Sequence, residues 1–220
     1  MTESATTAIF VSVPVAAFRK PQAREYLETL PVPSPATVYG MLLSLVGEGD
    51  RRAHVGCDLR YAMLVEPRLS TLIRTTWQVK NRNLPLGEGA NRGVDYQELL
   101  TDVRVVVWLR QGADEGAAAP LAERVRRVVV DRERPNRFGA LCLGESTHLV
   151  DEVRPFRVSD GATCRLIRPD PAGPLPLPIW VDHVGSRRTR WLNCRLDEVV
   201  TRDVADGWIT IRPNDDDPGD

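Results

Sequence analysis

The sequence has almost no lysine. Lys20 and Lys80 are the only two among 29 basic residues, and the rest are arginine. Arginine carries a planar fork that suits bidentate phosphate contacts and stacking on flat rings. A genome's base composition produces the same bias, so it decides nothing alone. The basic residues face 30 acidic ones, a net charge of −1. A balance so close to zero argues against a broadly basic protein and leaves local clustering as the electrostatic signal. Cysteine is equally thin. Cys57, Cys142, Cys164 and Cys194 lie far apart without a CxxC pair, which gives neither a zinc-site spacing nor a disulfide framework. His54, His148 and His183 are just as scattered, and no metal or cofactor is expected. No apolar run reaches the roughly 18 residues that a membrane helix needs. The N-terminus lacks the charged and apolar regions of a signal peptide. A reduced, cytoplasmic protein with no membrane partner is the expectation, and no internal repeat is visible.

What is present is enough for a core. Hydrophobic residues make up 42% of 220, a length that suits one domain with an elaboration or two small ones. The stretch Phe18 to Glu48 is the most informative. Ser34 is placed to cap a helix, because its hydroxyl accepts from first-turn N–H groups. Pro35 follows at the first helical position, where a missing N–H costs nothing. Val38, Met41, Leu42, Leu45 and Val46 then repeat at helical period, and Gly47 and Gly49 stop the run. Gly40 sits inside this helix, where glycine costs about 1 kcal/mol against alanine. It predicts a close approach to the backbone, by a packed strand or helix in the simpler case and by a ligand in the other.

Taken in order, Ala8–Val15 alternates as a first strand and leads into Phe18-Arg19-Lys20-Pro21 and a proline-shaped loop. Arg60–Glu66 reads as a second strand and Ser70–Lys80 as another extended run. Residues 81–97 form a loop too long for a tight turn, and such loops are usually functional or disordered. Arg82, Arg92 and Lys80 put positive charge on this finger. Thr101–Gln111 is apolar enough for a central strand. Pro120–Asp131 is a second helix with Leu121, Val125, Val128 and Val129 on one face and Arg124, Arg126, Arg127 and Arg132 on the other. Phe138–Gly144 reads as a short strand between glycines. The order β-α-β-β-α-β predicts an α+β fold of the ferredoxin-like or RRM-like plan, a four-stranded antiparallel sheet with two helices on one face. Short strands at 163–168, 178–184, 190–196 and 207–212 predict a small C-terminal antiparallel β appendage. The expected boundaries are 1–157 for the core with a finger at about 78–96, 158–214 for the appendage, and 215–220 for an acidic disordered tail.

Three features together carry a family resemblance. They are a strand followed by Phe18-Arg19-Lys20-Pro21 and TLPVPSPATVYGMLLSLVGE, the arginine-bearing finger before a central strand, and RFGALCLGESTHLVDEV near residue 150. In these the chain resembles the fifth family of the CRISPR-associated (Cas) series, within the RAMP superfamily. The likeness runs from about residue 8 to about residue 157, and the proline–serine helix start with Tyr-Gly-Met-Leu is its most specific part. The resemblance implies a subunit of a type I Cascade-like surveillance complex, which serves antiviral defence or guides a transposon. Such a subunit caps the 5′ handle of the guide RNA (crRNA), contacts the backbone and large subunits, and meets target DNA only through the complex. It implies that the finger is a thumb hairpin crossing the guide, and that the Gly139–Gly144 loop and the end of the first strand lie near the handle.

Single-stranded RNA is held by basic side chains on phosphates, by backbone N–H groups where glycine allows approach, and by stacking on splayed bases. The candidate RNA-binding residues are therefore Arg19, Lys20, Tyr39, Arg74, Lys80, Arg82, Arg92, Arg137, Gly139, Gly144 and Ser146. Tyr39 and Trp77 could stack on a base, although core positions are the simpler expectation for both. One branch of the family cuts repeat RNA with a tyrosine, a lysine and a histidine, because metal-free cleavage needs a general base and acid near the 2′-OH. Neither lysine has a histidine neighbour in sequence, and nothing requires Tyr39, His54 and Lys80 to converge. A non-catalytic subunit is expected. The alternatives are a repeat-processing endoribonuclease and an unrelated ferredoxin-like RNA-binding protein. TDVRVVVWL offers only Trp108 for stacking, which argues against an ordinary RRM.

Overall fold

Alternation in TAIFVSVPVA buries Ile9, Val11 and Val13 of β1 (Thr7–Ala16) in the main core against the helices. In the computed structural model, which describes residues 6–21, 23, 26–137, 139–182 and 187–214, this strand pairs antiparallel with β5 (Arg92–Arg110) in unbroken register, from Thr7 opposite Leu109 to Ala16 opposite Leu100. Between them in the chain come β2 (Tyr26–Leu27), α1 (Pro35–Leu45), β3 (Asp58–Met63) and β4 (Arg68–Trp77). After β5 come α2 (Leu121–Val129), β6 (Glu152–Pro155), β7 (Thr163–Pro169), β8 (Leu175–Trp180), β9 (Arg190–Val200) and β10 (Ile209–Thr210). One mostly antiparallel sheet runs β6-β1-β5-β3-β7-β9-β8, with β10 on β3 and both β2 and β4 on the outer part of β5. The two helices and this sheet make an α+β fold. Val103, Val105, Val107 and Leu109 of β5 are fully or almost fully buried, because β1 and β3 flank the strand and side chains cover both of its faces.

The helix α1 forms as its sequence dictates. The Ser34 hydroxyl accepts from the Thr37 N–H at 3.2 Å, Pro35 opens the helix, and Val38, Met41, Leu42, Leu45 and Val46 all enter the main core. Its link to α2 is polar and buried. Arg124 donates to Glu48 at 2.6 Å and to the Val46 carbonyl at 3.1 Å, and lies 2.8 Å from His54 Nε2. The other ring nitrogen of His54 is 2.9 Å from Glu115, which also accepts from the Leu121 N–H at 2.7 Å. Arg124 thus ties the helices together rather than lying on a solvated arginine face. The opposite side of the sheet carries a second, smaller core around Phe10, Val106, Trp108 and Leu166, closed by Phe156, Val204 and Trp208. Arg60 lies between the Trp108 and Trp208 rings at 4.9 and 4.3 Å. That face is therefore covered.

Several expectations change. Of the strand expected over 138–144, residue 138 lies outside the described residues and 139–144 are not a strand. Gly139 and Gly144 hold φ of +77° and +107°, which breaks any ladder, and among the described residues of this segment Cys142 makes a single bridge to Leu149. The edge strand beside β1 is instead Glu152–Pro155. The loop expected over 81–97 ends at Asn91, and Arg92 already belongs to β5. The strand expected at 178–184 is Leu175–Trp180, taking in the proline-rich run, while 183–186 lie outside the described residues. Its two prolines share one side of an edge strand, where no N–H is needed for the β9 ladder. Strands β7, β9 and β8 continue the main sheet through β7 on β3. Trp77 is not a core residue but 69% exposed. No strand or helix packs on Gly40, since no heavy atom comes within 4 Å of a Cβ added there. The acidic segment 215–220 lies outside the described residues.

Candidate nucleic-acid interface

A groove runs along the outer face of α1. Its centre is a cavity of about 390 Å3 walled by Tyr39, Gly40 and Met41 of the helix, by Arg51, by Ala140, Cys142 and Gly144 of the loop after α2, and by Ile179 to Val181 at the end of β8. Towards one end it passes Thr37, Gly144 and Val181 to reach Arg19 and Pro21. Towards the other it passes Leu43 and Ser44 to reach Gly47, Asn136 and Arg137. Arginine therefore stands at both ends of a mainly apolar trough. Acidic Glu145 shares the Arg19 end, and at the other end Glu48 is neutralised by Arg124, whose hydrogen bond holds that carboxyl below its ordinary value.

The loop that makes one wall is built on a single buried side chain. His148 Nδ1 accepts from the Ala17 N–H at 3.1 Å and from the Glu145 N–H at 3.0 Å, which leaves the proton on Nε2. Burial lowers the His148 pKa from its usual 6.5, with Glu145 opposing in part. Gly144 fits only without a side chain, because a Cβ would lie 2.8 Å from the Ala17 carbonyl oxygen. Cys142 faces the cavity and its thiol lies 3.1 Å from the Ser146 carbonyl oxygen.

The second candidate element is the hairpin of β4 and the outer half of β5, paired from Arg68–Thr101 to Trp77–Arg92. Nearly all of β4 is exposed, so the hairpin stands away from the body. Between residues 68 and 97 it carries Arg68, Arg74, Lys80, Arg82 and Arg92 against Glu88 and Asp95. It is thus basic within a chain of net charge −1. Its tip is ordered around buried Asn91. Asn91 Oδ1 accepts from the Lys80 and Asn81 N–H groups at 2.9 and 2.7 Å, and its amide donates to the Asn81 and Leu84 carbonyls at 2.8 and 2.7 Å. Trp77 lies over Gly87, where a Cβ would come within 3.1 Å of the indole. At the hairpin's root the Tyr26 ring meets Tyr96 at 6.2 Å. The Tyr26 hydroxyl and the Thr29 N–H both donate to Glu98, at 3.0 and 2.9 Å. These contacts tie the Phe18–Thr29 loop to the hairpin.

The structure gathers Arg19, Tyr39, Gly144 and Arg137 around the groove. Gly139 and Ser146 belong to the same loop but do not line the groove, and Arg137 donates to the Gly139 carbonyl at 2.9 Å. Tyr39 is a buried wall and not a stacking platform. Its hydroxyl donates to the Arg51 carbonyl at 2.7 Å, and desolvation pushes its pKa far above the usual value. Lys20 pairs with Glu28 at 3.1 Å. Arg74, Lys80, Arg82 and Arg92 belong to the hairpin, with Arg74 donating to Gln97 at 2.8 Å. Arg82 and Arg92 have no side-chain hydrogen bond or ion pair among the described residues. Tyr39, His54 and Lys80 are split between these places, with His54 buried in the helix–helix link and Lys80 at the hairpin tip.

Three contributors carry no local sequence signal. Arg51 donates to the Val181 carbonyl at 2.7 Å and lies 4.5 Å over the Trp180 ring, a contact between residues about 130 positions apart. Asn91 and His148 look like any loop asparagine and histidine until the backbone groups around them are known.

No family model matches the chain. A solved structure described as a CRISPR RNA-guided surveillance complex is 17% identical and aligns over 92% of this chain and 94% of its own, with a TM-score of 0.58. A second, described as a Cas protein, is 15% identical over 92% of this chain and 99% of its own, with a TM-score of 0.52. The fold is thus one found among CRISPR-associated proteins. Sequence narrows the class: CRISPR-associated protein Cas5 of Myxococcus xanthus (strain DK1622) is 43% identical over 196 residues, 88% of this chain and 91% of that protein. The chain belongs to the Cas5 family.

Proposed function

We propose that this chain is a non-catalytic subunit of a type I Cascade surveillance complex that binds and caps the 5′ handle of the crRNA, contacts the backbone and large subunits, and meets target DNA only through the assembled complex. The observation that carries the reading is the groove along α1. It brings residues from position 19 to position 181 into one trough with an arginine at each end, as a single strand with regular phosphates requires. The order β6-β1-β5-β3 with both helices packed into one core supports a ferredoxin-like body over residues 1–157. Residues 158–214 form its β appendage. The hairpin takes the role of a thumb across the guide, where its charge suits phosphate and its exposed Trp77 and Tyr96 suit bases.

The location of the three family-like catalytic types supports a scaffold over a ribonuclease. His54 has both ring nitrogens engaged within the helix link, so it is a poor proton shuttle for an RNA 2′-OH. One solved structure of similar fold, named for an RNA-guided surveillance complex, agrees with a cytoplasmic ribonucleoprotein, and no helix among the described residues is long and apolar enough to cross a membrane.

Co-expression with the proteins encoded beside its gene and a repeat–spacer RNA tests this, with one component omitted at a time. One copy recovered in an RNA-containing complex, with crosslinks confined to the 5′ handle, is the expected result. Purification of the chain alone with metal-free cleavage of repeat RNA would replace the scaffold with a ribonuclease.

A further inference from the structure

Gly40 is unexplained by packing. It occupies the interior of α1, where glycine is among the poorest helix formers, yet nothing within 4 Å would meet a side chain there. Its φ is not positive either, so no turn demands it. Gly40 is exposed and lines the central cavity, so its missing side chain leaves that part of the wall open. Most of the walls there are flat or apolar, with Arg51, Thr37 and Ser44 as the polar members. Trp180 lines it with the Arg51 guanidinium 4.5 Å over its ring, and Met41 and Ile179 line it as well. The cavity shares Thr37, Gly144 and Val181 with a hollow that reaches Arg19, and Gly40, Leu43, Ser44 and Arg51 with another that reaches Arg137.

We infer that this cavity is a socket for one nucleobase, turned out of the bound single strand, with the phosphates on either side of it directed to Arg19 and Arg137. The inference rests on the handle-binding reading and adds the place where a base is held. A mainly apolar hollow with one guanidinium beside Trp180 and a further arginine towards each end matches a polymer that alternates flat rings with anions. A peptide offers no such regular anion, and a free nucleotide uses only one of the two ends. At about 390 Å3 the cavity lies near the small end of ligand sites, enough for one base and its sugar and too small for a stack. The hydroxyls of Thr37 and Ser44 on its rim give the base edge polar partners.

The test uses the assembled complex. Guide RNAs carry one abasic nucleotide at each handle position in turn, and the chain is either unchanged or Gly40→Leu. Leucine favours the helix and has open space to enter, and the thermal stability of the isolated variant checks that it folds. With the unchanged chain, one abasic position should weaken RNA retention about ten-fold, the loss of a single held base. Gly40→Leu should weaken retention of intact RNA by a similar factor and abolish the extra effect of that abasic position. Equal retention with an unaltered abasic profile in Gly40→Leu overturns the socket and leaves handle binding intact. Loss of a protein subunit by Gly40→Leu with an unaltered profile also overturns it, and assigns the cavity to a protein side chain. Failure of the unchanged chain to retain RNA overturns both readings.

Discussion

The hairpin tip and the loop from Gly139 to His148 are both glycine-bearing segments with few apolar anchors, and both are shaped by one buried polar side chain. At the tip Asn91 receives the Lys80 and Asn81 N–H groups. In the loop His148 receives those of Ala17 and Glu145. A buried backbone donor without an acceptor costs about 1–3 kcal/mol, so a single side chain that satisfies two of them decides whether such a loop has one shape. The difference is in setting. The tip stands at the end of a solvated ribbon, whereas the loop closes over the end of β1 and one wall of the groove. Damage to the first should stay local, and damage to the second should reach the body.

Gly144→Val offers the largest test of that contrast. It forces a branched residue to φ near +107° and sets a Cβ against the Ala17 carbonyl. A loss of about 2–3 kcal/mol in urea unfolding is expected, and a loss below about 0.5 kcal/mol would show that the loop is not part of the cooperative unit. Asn91→Ala should instead leave the melting of the body nearly unchanged. It should raise amide exchange at Lys80 and Asn81 and open the tip to protease. If the body melts with the tip, the two regions are one.

Acid separates them further, because only one of the two organising side chains titrates. Unfolded, His148 has its ordinary pKa of 6.5, and burial lowers it in the folded chain. Between those values the unfolded state holds the extra proton, so the contribution is complete above about pH 6.5 and declines as pH falls, levelling off below the folded pKa. Amide exchange at Ala17 and Glu145, normalised for its intrinsic pH dependence, should therefore gain protection loss on acidification, while the Asn91 contacts should not.

Gly40→Ala is expected to raise stability by about 0.5–1 kcal/mol in the same unfolding assay, the opposite sign to Gly144→Val and a direct separation of an open glycine from a closed one. Smallest in stability are Arg82→Ala and Arg92→Ala, each within about 0.5 kcal/mol. Their effect should appear as weaker guide retention with rising salt; unaltered retention would remove the hairpin from the RNA path.

Much of the fold was legible where the signal is local. Ser34 and Pro35 fixed the start of α1, and the valine run of β5 announced a strand with two covered faces. The proline-rich Leu175–Trp180 hid a strand, because its acceptability depends on lying at an edge. The apolar GALCLG of 139–144 concealed a loop, because only the positive φ of Gly139 and Gly144 distinguishes it from a strand. The candidate site divides in the same way. Arg19, Tyr39, Arg137 and Gly144 were nameable singly, while the cavity they share with Arg51 and Trp180 arises from pairing far along the chain. Gly40 was marked as unusual from sequence, but whether its space is filled or open needed coordinates.

The ends of the sheet carry one more consequence. Pro176 and Pro178 sit at alternate positions of β8, so the side of that strand facing away from β9 offers carbonyl acceptors but lacks two donors. At the opposite end β6 is four residues long and finishes in Pro155. Neither border is a template on which another chain could lay a strand. The free edge of β4, ten residues that are nearly all exposed and without a proline, is then the long border left among the described residues where another chain could add a strand, so the sheet is guarded at its two ends and open on its projecting ribbon.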